Sequence, residues 1–300
     1  MNQAINIGVH PLDTARNDIV LELPAYSPVT HGMPQIRATV TDGVIHDAQV
    51  VLGSMHRGVE KLFESRDYRQ ILMLANRHEW LSPITGEVGL AELLEKALGI
   101  AVPEQAVQLR KALIAYSRIT SHLAFLAGFP FSEDELVGSL RQHREQLIAH
   151  QQGFTHSPSS QWLSETQRVI SATSALAQKV ADYAATQTQW NELGVLAHAD
   201  IDQYGITGPA STPGGVTHRI WSLVSEIHIA VQELDVLIPQ LIAHIDEPIN
   251  VLLPKVPRIP EGEYTHTMTT PLGQAIWFMV SRGDKMPYRL KLRPASLHTM

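Results

Sequence analysis

The chain has 300 residues, 44% of them hydrophobic, so it can bury a sizeable core and is not a disordered segment. Its formal charge of −7 excludes a general nucleic-acid binder, which needs a basic face. It holds no cysteine, which excludes disulfides, thiolate zinc sites and cysteine-held iron–sulfur clusters of its own.

The N-terminal run MNQAINIGVHPLD lacks the basic and apolar regions of a signal peptide, and AIWFMV (275–280) is far shorter than a membrane span. A soluble or peripheral protein is expected. Residues 36–52 read as a hairpin, with Asp42-Gly43 as its type I′ turn. Helix is expected from about Gly58 to Ile245. Its best segment is 103–127, where Leu109, Leu113, Tyr116, Leu123 and Ala127 form one stripe, Pro103 opens the first turn, and Gly128 and Pro130 stop it. Residues 161–190 and 219–246 read as two more long helices. Pro248, Pro254, Pro257 and Pro260 make 248–263 a loop. A second hairpin follows, from QAIWFMV through the polar turn SRGDKMP to YRLKLR, where Leu290 and Leu292 alternate with Arg289, Lys291 and Arg293. The fold class is therefore mainly α with flanking β-hairpins. The divisions expected are a hairpin region over 1–54, a helical core over 55–247 and a loop with a hairpin over 248–300, all within one structural domain.

Charge is crowded in MHRGVEKLFE (55–64) and NRHEW (76–80). On a helix, His56 and Glu60 would share a face, as would Arg57 and Lys61. Such a run is most often a solvated first turn. Gly58 weakens a helix there, which suggests a close backbone approach. Arg118, Ser121 and His122 share a face of the 103–127 helix. His143 and His150, seven apart, read as ordinary surface histidines, because no third ligand stands at metal-binding spacing. GPASTPGG (208–215) has no phosphate-loop order, and no Gly-x-Ser-x-Gly elbow is present. Residue patterns alone leave the function open.

Several stretches together resemble a known family. DGVIHDAQVVLGSMHRGVEKLFE, LLEKALGIAVP, SRITSHL, YGITGP and MPYRLKLRPAS occur in order between Asp42 and Ser296. They are similar to the D-type subunit of respiratory complex I, the NADH:quinone oxidoreductase, and to the large subunit of nickel–iron hydrogenases. The resemblance implies a hydrogenase-like helical core. Hydrogenases hold their metals with four cysteines, and this chain has none, so the complex I branch is implied. There the former metal pocket is the inner end of a quinone cavity. His31, in VTHG, matches the catalytic and quinone-binding histidine. Trp80 stands where that branch has a quinone-binding tyrosine. His56, Arg57, Glu60, Lys61, Arg77, Glu79, Arg118 and His122 are implied to form a charge network around the cavity. Histidine suits the role, since it can donate a hydrogen bond and yield a proton near neutral pH.

The implied cofactors are quinone as substrate, no metal on this chain, and an iron–sulfur cluster in a partner subunit. The implied partners are that iron–sulfur small subunit, other peripheral-arm subunits and a membrane-arm subunit, with no nucleic acid. The implied place is the cytoplasmic side of the cell membrane, peripherally. The chain departs from the family pattern at the site. Trp80 has no acidic proton, and Glu79 replaces an aspartate. Thr212 stands for an arginine and Thr269 for a glutamate, and His156 matches a histidine beside the partner's cluster. The family pattern continues past RPAS, which implies a truncated chain or a shortened paralogue. The alternative implied reading is a non-catalytic, hydrogenase-like scaffold in a membrane-bound complex.

Overall fold

A computed structural model describes residues 8–13, 18–22, 35–41, 44–51, 56–79, 81–129, 131–152, 158–195 and 214–295. Four strands come first: β1 (Gly8–Asp13), β2 (Asp18–Glu22), β3 (Gln35–Thr41) and β4 (Val44–Val51). They form an antiparallel sheet in sequential order. The hairpin expected over 36–52 is its β3–β4 pair, which closes at Thr41 opposite Val44 and carries a bulge beside Thr39. β1 and β2 had no counterpart in the sequence expectation.

The helical region then runs through α1 (Val59–Phe63), α2 (Tyr68–His78), α3 (Pro83–Leu98), α4 (Glu104–Gly128) and α5 (Asp134–Gln152). It continues with α6 (Ser160–Ile170), α7 (Thr173–Thr186), a 3-10 turn (Thr188–Asn191) and α8 (Val216–Ala243). Local chemistry sets the ends. Asp67 and Gln70 make a reciprocal capping box at the start of α2. Pro83 occupies the first turn of α3, and Gly99 at φ 65° ends it, with the Ile100 amide closing onto the Glu95 carbonyl at 2.9 Å.

The single helix expected over 161–190 is instead two helices and a 3-10 turn. At the break, the Ser171 hydroxyl donates to the Arg168 carbonyl at 2.7 Å, an alternative to the helical ladder. His143 and His150 are also corrected: they are not surface groups. His143 is buried, with Nε2 2.8 Å from the Thr173 hydroxyl. His150 stacks on Trp162 with ring centroids 4.8 Å apart, and its Nε2 lies 2.7 Å from the Thr166 hydroxyl. Burial holds both imidazoles below the usual histidine pKa. They are internal ties between α5 and the α6–α7 pair.

The proline-rich segment forms no element between α8 and β5 (Gly262–Thr270), which was also absent from the sequence expectation. β5 joins β6 (Gly273–Ser281) and β7 (Arg289–Arg293) in a three-stranded antiparallel sheet, so the second hairpin is part of a larger unit. Leu290 and Leu292 point inward and their basic neighbours outward, as the alternation implied. In the turn between β6 and β7, the Arg282 guanidinium lies 3.3 Å over the Tyr288 ring.

Buried apolar residues fall into two clusters. The larger, including Leu123, Leu126, Leu140, Leu163, Ile170, Val224 and Ile227, lies among α4 to α8. The second joins α1, α2 and α3 to the C-terminal sheet through Phe63, Tyr68, Ile71, Leu90, Trp277, Met279, Leu290 and Leu292. The architecture is mainly α with small antiparallel sheets, as expected.

Candidate functional site

His31 and Trp80, the two residues expected to hold quinone, lie outside the described residues, as do His156 and Thr212. The elements that flank Trp80 are described, and they fix the short turn between α2 and α3 tightly. The Ser82 amide donates to the Glu79 carbonyl at 2.9 Å. Ser121 of α4 donates its hydroxyl to the Leu81 carbonyl at 2.9 Å. One turn earlier on α4, the Ser117 hydroxyl lies 3.1 Å from that of Ser82, which also accepts from Thr85 at 2.7 Å. Ser82, Thr85, Ser117 and Ser121 are buried, and each polar contact there replaces one with water. Two serines of the SRITSHL stretch thus pin the turn to α4. Arg118 and His122 of the same stretch face α8: His122 Nε2 lies 2.8 Å from Glu226, and Arg118 lies 3.6 Å from Glu233. Burial would raise the Glu226 pKa, but the His122 hydrogen bond and the charges of His122 and Arg118 hold it below the usual value.

Glu79 sits at the C-terminal end of α2 and is only 5% exposed. Its carboxyl has no hydrogen-bond or ion-pair partner among the described residues, and burial pushes its pKa up to about 7. It lines a small hollow with His78, Gly86, Trp277 and Arg293. Close approach makes that wall. A side chain at Gly86 would meet the Ala75 carbonyl oxygen and Glu79 Cβ at 2.9 Å, and one at Gly89 would overlap the Trp277 ring. His78 is held by donating Nε2 to the Leu292 carbonyl at 3.3 Å, and burial lowers its pKa.

The MHRGVEKLFE run is organised differently from the expectation. α1 begins only at Val59, behind Gly58 at φ 64°, so His56 and Arg57 precede the helix. The rows His56–Glu60 and Arg57–Lys61 do not form. Gly58 is required by its left-handed backbone and not by close approach, because a side chain there would meet nothing within 4 Å. His56, Arg57 and Lys61 are exposed. Glu60 accepts from Lys291 at 2.6 Å and from the Leu292 amide at 3.3 Å. Glu64 accepts from Lys61 and Arg289, both at 3.1 Å. Burial opposes the Glu64 charge, yet these two cations keep its pKa below the usual carboxylate range.

Arg77 is exposed at the end of α2. Among the described residues, no ion pair joins any two of His56, Arg57, Glu60, Lys61, Arg77, Glu79, Arg118 and His122. They divide among the α1–β7 contact, the α2–α3 turn and the α4–α8 seam. Glu226 and Glu233 were not singled out in the sequence, and the partnership of Glu60 with Lys291 was not foreseen, because pairing across more than 100 positions leaves no local signal. Thr269 lies on the outward face of β5. No group of three or more His, Asp or Glu residues able to hold a metal occurs among the described residues, nor does any helix long and apolar enough to cross a membrane.

No family model matches the chain. It is 31% identical to the second D-type NADH-quinone oxidoreductase subunit of Streptomyces griseus, over 94% of this chain and 85% of that protein. The chain belongs to the D-type subunit family of the NADH-quinone oxidoreductases. An NADH-quinone oxidoreductase protein of Bacteroides thetaiotaomicron, named for both the C and the D types, is 26% identical over 93% of this chain and 62% of its own length. Among solved structures, a chain of the membrane-bound sulfane sulfur reductase, described as an archaeal respiratory membrane complex, superposes with a TM-score of 0.78 at 18% identity. The match covers 96% of this chain and 90% of the other, and it shows that the two chains share a fold.

Proposed function

We propose that this chain is the D-type subunit of a complex I-like NADH-quinone oxidoreductase, lies in the peripheral arm on the cytoplasmic side of the membrane, lines the quinone site, and receives electrons from an iron–sulfur cluster in an adjacent subunit. Family membership over 94% of the chain carries the reading. Quinone reduction takes two electrons and two protons. His31 supplies a proton and a hydrogen bond to one carbonyl of the head group. Trp80 orients the ring by stacking or by its indole N–H and yields no proton. Its neighbour Glu79, with a pKa of about 7, is able to hold a proton at neutral pH and pass it toward His31. The serine contacts to Leu81 and Ser82 hold the Trp80 turn still, which keeps the head group at one distance from the electron donor.

The partners are the iron–sulfur small subunit, other peripheral-arm subunits and a membrane-arm subunit. The test is His31→Ala in the assembled complex. Quinone reductase activity is expected to fall at least a hundredfold while all subunits still co-purify; unchanged activity removes His31 from the chemistry. A second reading, a non-catalytic scaffold in a membrane-bound complex, is favoured by Trp80, Thr212 and Thr269, which stand where the family pattern has tyrosine, arginine and glutamate. A purified native complex that lacks any quinone reduction would establish that second reading.

A further inference from the structure

Between α8 and β5 the chain presents an aliphatic surface that its own fold leaves uncovered. Leu252 is 101% exposed, and Val251, Leu253 and Val256 are exposed beside it. The base of this segment is fixed: Arg69 of α2 donates to the Leu253 carbonyl at 3.4 Å and to the Pro254 carbonyl at 2.8 Å. Met73, one turn beyond Arg69 on the same face of α2, is 74% exposed. Single exposed apolar residues are ordinary, but four within one anchored six-residue segment, with Met73 on the helix that anchors it, mark a contact surface. Two prolines, Pro254 and Pro257, stiffen the segment, so less conformational freedom is lost on docking.

We propose that residues 251–256, with Met73, form a plug that seats in an aliphatic groove on a different protein of the same complex, with an acidic side chain of that protein meeting Lys255. The proposal rests on the functional reading above. Chemistry selects the occupant. Lys255 has no ion-pair partner among the described residues, whereas Arg258 lies 3.7 Å from Asp284. A membrane surface is disfavoured, because residues 248–260 hold no aromatic side chain and just two cations, while membrane-seating segments rely on both. A second copy of this chain is disfavoured too, since a two-fold contact through the same loop would set Lys255 against Lys255.

Hydroxyl-radical footprinting of the isolated chain and of the native complex tests the proposal. The oxidation rates of Met73 and Leu252 are expected to fall at least fivefold in the complex, and Leu252→Asp to reduce co-purification of the other subunits at least tenfold with no change in the melting temperature of the isolated chain. Equal oxidation in both states overturns the proposal. So does protection of the isolated chain by phosphatidylglycerol–phosphatidylethanolamine vesicles alone, or protection that rises with its own concentration. If the chain co-purifies with an iron–sulfur protein while Leu252 stays reactive, the plug is wrong and the functional reading stands. If it co-purifies with no other protein, both fall.

Discussion

Glu79 combines burial with a carboxyl that no described residue pairs, and the consequence is a definite pH dependence. Its pKa is about 7 in the folded chain against an ordinary value of 4.5. The native state therefore binds the proton more tightly than the unfolded chain does. Below pH 4.5 both are protonated and nothing is lost. Stability falls as pH rises from there, and the loss is complete above pH 7, at about 3 kcal/mol. Glu79→Gln removes this term. Urea unfolding at pH 5 and pH 8 should show the stability difference between variant and parent moving in favour of glutamine by about 2–3 kcal/mol at the higher pH. Comparing two pH values cancels the cost of burying the amide itself; a pH-independent difference would mean the carboxyl is not desolvated. At this scale the sequence was partly readable. The residues of SRITSHL could be picked out, but not their division of labour, since Ser117 and Ser121 face the α2–α3 turn while Arg118 and His122 face α8. Glu60 and Glu64 stood out as charges, yet each is paired with a β7 cation more than 200 positions away, Lys291 and Arg289.

Helix positions were legible wherever one apolar stripe matched one element. In the α4 stripe Leu109, Tyr116, Leu123 and Ala127 are buried as their spacing implied, and Leu113 is partly buried against the same core. The same logic hid the break between α6 and α7. Leu163, Thr166, Ile170, Thr173, Ala177, Val180 and Ala184 are all buried and keep the three-to-four spacing straight across Ser171–Ala172. Periodicity reports which side faces the core, and both helices face the same core. β5 was missed because its inward residues, Tyr264, His266 and Met268, are not the aliphatic run that advertises a strand. Glycines separate packing from propensity at this scale. Gly89→Ala should destabilise the chain by about 1–3 kcal/mol, because the added methyl overlaps the Trp277 ring. Gly138→Ala, on α5 where a side chain meets nothing within 4 Å, should stabilise it by up to about 1 kcal/mol. Thermal denaturation of the two variants distinguishes these signs.

Taken whole, the molecule has two cores, and the turn that carries Trp80 lies where they meet. On one side Ser117 and Ser121 belong to α4 of the helical core; on the other, His78 at the end of α2 donates to the Leu292 carbonyl of the C-terminal sheet at 3.3 Å. Leu290 is fully buried in the second core. Leu290→Ala should cost about 2–5 kcal/mol, and native-state hydrogen exchange should show the loss in α1–α3 and β5–β7 before α4–α8. A uniform loss would mean that the two cores open together. The family was legible at this scale, because motifs in a fixed order along the chain can be read without knowing which residues meet in space. The free edge of β7 carries one last implication. The Leu292 backbone is claimed on that edge from both sides, its amide by Glu60 and its carbonyl by His78. At that residue a further chain could add to the sheet only by displacing both side chains. One residue from each of the two charge-rich stretches, Glu60 and His78, thus works against self-association at this point of the edge.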